Sequence, residues 1–112
     1  MDRFWVNYMK QHEFNPPHGH SGEYSFVVFM KIPTHWKEQH ALPISANTNA
    51  PGASDFQFLL PESQTQSIPL CPEDAGRILF FPAWLQHQVF PFYEFEEERI
   101  TISGNIIEDN LL

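Results

Sequence analysis

Ten prolines and five glycines cut this chain of 112 residues into short segments, and that punctuation excludes any long helix. Proline lacks the backbone N–H that a helix interior needs and pushes the preceding residue toward extended conformations. The runs left between the breaks are rich in aromatic and β-branched residues, which suit a pleated, half-buried surface. Phe4 to Lys10 alternates roughly, as a half-buried strand does. Gln11 to Gly22 contains Asn15-Pro16-Pro17, which forces an extended path up to His18. Tyr24 to Ile32 is apolar on both faces and reads as a central strand ended by Pro33. Further strands are predicted over Asp55 to Leu60, Arg77 to Phe81, Gln86 to Phe92 and Arg99 to Ile107. Seven or so short strands with almost no helix predict an all-β double-stranded β-helix, a jelly roll of cupin-like type, formed by residues 1–112 as a single domain.

Three segments depart from that pattern. Thr34 to Leu42 holds one or two helical turns with Thr34 as the cap. Pro43 to Ser54, rich in Asn, Ala, Ser, Pro and Gly, reads as a long loop, either a lid over a site or an insertion without a role. Pro61 to Asp74 carries three prolines and turns back on itself.

Charge narrows the function classes. Six Lys and Arg against fourteen Asp and Glu leave a net charge of −8, which repels phosphate backbones and argues against a nucleic-acid partner. No apolar run reaches membrane-spanning length, so a membrane partner is not expected either. The single cysteine, Cys71, excludes an internal disulfide framework and a Cys-rich zinc site, and is compatible with a reducing cytoplasm. Short strands with exposed edges favour pairing with a copy of the same chain, so a homodimer is the expected assembly.

The chemistry concentrates in two places. On an extended chain residues two apart project to the same side, so His18 and His20 can present both imidazoles to one point. A third ligand from a distant strand, His87, would complete a facial set and leave positions open. Isolated His-x-His pairs are common on ordinary surfaces, and the second feature adds weight. In RITISGN, Arg99, Thr101, Ser103 and Asn105 share one face while Ile100, Ile102 and Ile106 share the other. One reading makes the isoleucine face core and the polar face a solvated edge. Another turns the polar face into a ligand cavity, where an arginine forks onto a carboxylate beside a hydroxyl. His87 and Arg99 are twelve positions apart (99 − 87), enough for a hairpin to bring them to neighbouring strands.

The blocks WVNYM, EFNPPHGHSGEYSFVVFMKIP and GRILFFPAWLQHQVFPF followed by ERITISGN resemble the 2-oxoglutarate/Fe(II)-dependent oxygenases, in particular a small phage-borne and bacterial branch labelled prolyl-hydroxylase-like. The likeness spans nearly the whole chain except Pro43 to Pro72. It implies an oxidoreductase with Fe(II) and 2-oxoglutarate as cofactors, hydroxylating a small-molecule or peptide substrate. By the same resemblance His18 is the proximal iron ligand, His87 the distal one, and Arg99 the partner of the far carboxylate of 2-oxoglutarate. Thr101 stands where the family commonly has a hydroxyl. The family's usual first motif is His-x-Asp or His-x-Glu, whereas here the third position is His20. That leaves His20, Glu23 swinging in at Gly22, or water for the remaining ligand position, with His20 favoured by spacing.

Two other classes stay open beside this one. One is a cupin-like metal-binding protein that uses the three histidines without 2-oxoglutarate, with Arg99 paired to Glu96 or Glu97. The other is a non-catalytic jelly-roll binding module. Trp5, Phe26, Phe29, Phe80, Phe81 and Trp84 read as core and cavity wall, His12, His35 and His40 as surface, and Ser25 as a buried hydroxyl satisfied by backbone. Cys71 has no neighbour that would activate it.

Overall fold

The structure, a computed structural model, describes residues 3–107. The extended runs between the prolines become eight strands: β1 (Arg3–Met9), β2 (Asn15–His18), β3 (Tyr24–Lys31), β4 (Phe56–Leu60), β5 (Gln64–Ile68), β6 (Ile78–Pro82), β7 (His87–Val89) and β8 (Arg99–Ile106). They form two antiparallel four-stranded sheets, ordered β1-β8-β3-β6 and β2-β7-β4-β5. First pairs with last throughout: β1 with β8, β2 with β7, β3 with β6 and β4 with β5. This is one long hairpin, tipped by β4 and β5 and folded over on itself. The extra pairings β3–β8 and β4–β7 close each sheet, and the result is the all-β jelly-roll layout that the sequence predicts.

Physical reasons for the placement are local. β3 is apolar on both faces and takes an inner position between β8 and β6. The core lies between the sheets, where Val27, Phe29, Ile32, Phe56, Leu70 and Phe81 are buried together. Burying a side chain of this size contributes about 1.5–3 kcal/mol.

Four expectations about elements change. β5 (QTQSI) falls inside the stretch predicted to turn back on itself: it is a polar edge strand, paired only to β4, so it needs no apolar pattern. Two short helices, α1 (Trp36–Ala41) and α2 (Pro43–Ala46), occupy the region after β3; α2 starts on Pro43, because proline fits the first helical position. The cap of α1 is His35, whose Nδ1 accepts from the Lys37 N–H, while Thr34 is buried with an unpartnered hydroxyl. Phe80 and Trp84 are exposed rather than packed inside.

Most consequential is β8. Its partners on both sides make it an inner strand, and its polar face points inward: Arg99, Ser103 and Asn105 are buried while Ile100, Ile102 and Ile106 are only half-buried on the outer face. The isoleucine side is therefore not the core side. Asn105 stands opposite Ser25 on β3, and the buried Ser25 hydroxyl donates to Asn105 Oδ1 at 3.0 Å. Ser25 is thus satisfied by a side chain and not by backbone.

Candidate metal and anion site

Strand register builds the histidine cluster. β2 pairs with β7 so that His18 lies directly across from His87, and directly opposed residues hold their side chains within about 5 Å of each other. Their rings are 4.2 Å apart between centroids. After β2 the chain is pinned by the His20 N–H, which donates to the Ala83 carbonyl at 3.0 Å. His20 is thereby turned back toward the same point, with its Nε2 3.4 Å from that of His87. One nitrogen from each of the three rings lies within 4.8 Å of the others. Among the described residues Glu23 stays outside this set: it is exposed, and its N–H donates to Ile106 O beyond the turn at Gly22.

The surroundings favour neutral imidazoles at His87 and His20. His18 Nδ1 is 2.7 Å from the Pro16 carbonyl, which can only accept, so Nδ1 carries a proton and Nε2 is the nitrogen left to meet a metal. The His87 ring stacks on Phe56 at 5.1 Å and meets Phe81 edge-on at 5.2 Å. This burial, reinforced by the repulsion of His18, lowers the His87 pKa to about 4. Burial lowers His20 as well, again with His18 adding to it. Trp5 packs on the His20 ring at 5.7 Å and helps to fix its angle. Two facing nitrogens 3.4 Å apart in neutral rings need a shared proton or a cation between them.

Arg99 lines the same cavity from the other sheet, together with Thr101 and Ser103. Its guanidinium is fully buried, with Nη2 donating to the Ser54 carbonyl at 2.8 Å. Among the described residues Nε and Nη1 have no partner. Burial lowers the Arg99 pKa to about 10, against the opposing pull of Asp55, so the group is cationic at neutral pH. No ion pair joins it to Glu96 or Glu97 among the described residues; Glu97 instead pairs with Lys31. A buried cation with two orphaned donors on a planar fork is a ready receptor for a carboxylate.

The cavity measures about 360 Å³ and is lined from both sheets, with buried Arg99 inside and the exposed Asn7, Glu13, Phe14 and Asn15 marking its mouth. That volume lies at the small end of ligand sites. A family model described as "Putative 2OG-Fe(II) oxygenase" matches residues 3–105. The chain belongs to this family. No curated protein and no solved structure matches it. The family name specifies Fe(II) and 2-oxoglutarate, and this member of the family offers donors that fit both: a cluster of three imidazoles on one sheet and a buried guanidinium with two unpartnered nitrogens on the other.

Sequence reasoning passes over two contributors to the site. Ser54 supplies the carbonyl that holds Arg99 and has a left-handed backbone, φ 70°. Asp55 is buried beside it and accepts from His40 at 2.8 Å, so His40 is a bonded, half-buried residue rather than a surface one. Trp5, expected as core or cavity wall, lines the cavity. A Ser-Asp pair before an apolar strand looks like any turn, which is why no signal marks them. The Pro43 to Ala53 stretch does not line this cavity; it surrounds a separate, shallower one with Phe90 and Tyr93.

Proposed function

We propose that the protein is an Fe(II)- and 2-oxoglutarate-dependent hydroxylase acting on a peptidyl or other small side chain. The observation that carries this reading is the meeting, in one cavity, of the three-imidazole cluster with a buried arginine whose Nε and Nη1 lack partners. His18, His20 and His87 would hold the iron, and Arg99 with Thr101 the far carboxylate of 2-oxoglutarate. When bound, the pair supplies oxidative chemistry, in which oxygen and 2-oxoglutarate are converted to succinate and carbon dioxide as a C–H bond is hydroxylated.

The chain's own part is to bind, orient and keep water out. Phe56, Phe58 and Phe81 pack around His87 and dry the metal side of the cavity. Arg99 is held in place by the Ser54 carbonyl, so its fork is preorganised. The amides of Asn7 and Asn15 at the mouth, with Trp5 and Phe14, suit a substrate that carries both hydrogen-bonding groups and apolar surface.

A cupin-like metal protein without 2-oxoglutarate is the second reading, favoured by the all-histidine donor set. It gives Arg99 a pairing with Glu96 or Glu97, which the described residues do not make. An anaerobic titration of metal-free protein with Fe(II) and then 2-oxoglutarate separates the two. We expect a visible charge-transfer band that needs both components and is lost in His87→Ala. Normal metal binding with no band would overturn the hydroxylase reading and leave the cupin-like one.

A further inference from the structure

The sheet β1-β8-β3-β6 has two faces, and the cavity is built on one, with Tyr8 of the other bordering its rim. Register puts Phe4, Val6 and Tyr8 on the other, beside Ile100 and Ile102. The same face continues through Phe26 and Val28 to Ile78 and Phe80. Among the described residues nothing covers it: Phe4 is 58% exposed, Tyr8 61%, Ile78 60% and Phe80 59%. The charge that register brings to it is Lys31, at its end beyond the β3 bulge, and Lys31 is paired with Glu97.

Area decides what such a face needs. Aromatic side chains present about 150–250 Å² each, so the exposed parts of Phe4, Tyr8, Tyr24 and Phe80 alone amount to about 400 Å². With Val6, Ile78 and the half-buried isoleucines added, the patch passes the ~300–600 Å² usual for the largest patch of a monomer. It approaches the ~800 Å² that each partner contributes to a stable complex.

We propose that this face joins two copies of the chain, sheet on sheet, about a two-fold axis. An uncharged surface gives a charged partner nothing to pair with, whereas two copies of one twisted sheet match each other at about −30° and ~10 Å separation. The contact is through a face, where the sequence points to an edge. Because the cavity lies on the opposite side of the sheet, both sites remain open in the pair.

Light scattering and sedimentation of the full chain test this. The expected mass is twice 13.1 kDa, with weaker association at low salt, because each copy carries a net charge of −8. Phe80→Lys and Val6→Lys should give folded monomers by circular dichroism. Ile44→Lys, equally exposed at 60% but on α2, should stay dimeric. Should the lysine variants fail to fold, Phe80→Thr and Ile78→Thr, which keep strand propensity, should raise the dimer dissociation constant at least tenfold. A monomeric wild type, a mass that grows without limit, association that strengthens at low salt, a stable complex with some other protein in place of the dimer, or folded face variants that still dimerise would each overturn the proposal.

Discussion

Arg99 shows how a single residue can work for the site and against its own surroundings. Burying a guanidinium with two unsatisfied nitrogens costs free energy that one hydrogen bond to Ser54 does not recover. Arg99→Met, which keeps the volume and removes the charge, should therefore leave thermal stability equal or higher. It should weaken 2-oxoglutarate binding at least about tenfold, since a hydrogen bond to a charged group is worth about 1.5–3 kcal/mol. Calorimetry of 2-oxoglutarate binding to the metal-loaded variant checks this, and an unchanged affinity would remove Arg99 from the site. At this scale the residue types were readable from spacing: a His-x-His pair, a distant histidine, and an arginine two before a threonine. Ser54 and Asp55 were not, because their roles depend on which side chain a folded neighbour presents to them.

Among the elements, the strands with apolar faces were legible and those with polar ones were not. β3 announces itself with YSFVVFMK, whereas β5 is QTQSI and becomes a strand through the backbone it offers to β4. β8 is the instructive case. Alternation gives two faces without saying which is inside, and the choice is made by β1 and β3, which flank it. The connection between α2 and β4 carries a related local conflict. Ser54 adopts φ 70° with its hydroxyl buried and unpartnered, and left-handed backbone in a non-glycine residue costs about 1 kcal/mol or more. Ser54→Gly relieves both while keeping the carbonyl that holds Arg99. The expected gain is about 1 kcal/mol by chemical denaturation, with 2-oxoglutarate affinity retained; a loss of stability would show that the serine hydroxyl is satisfied.

The whole molecule inherits a pH response from its histidine cluster. In the native state burial holds His87 near 4 and lowers His20, whereas in the unfolded chain both titrate near 6.5. Between those values the unfolded chain binds protons that the native cluster refuses, so stability rises with pH across that window. It is complete above about 6.5 and is lost as pH falls toward 4, at no more than about 1.4 kcal/mol per pH unit for each group. The melting temperature of metal-free protein should fall over this range, and less steeply in His87→Gln. A flat profile would mean that the cluster is open to water. Among the described residues no helix is long and apolar enough to cross a membrane.

The inverted orientation of β8 also bears on how this chain responds to selection. Thr101 and Ser103 face an interior where valine would be more comfortable, and Arg99 occupies space that a methionine could fill without orphaned nitrogens. Selection for thermal robustness alone would drift toward those replacements, and each step would look like an improvement while dismantling the proposed anion receptor. A stabilised descendant of this protein is thus more apt to be an inert jelly roll than a better catalyst, unless turnover is screened beside stability.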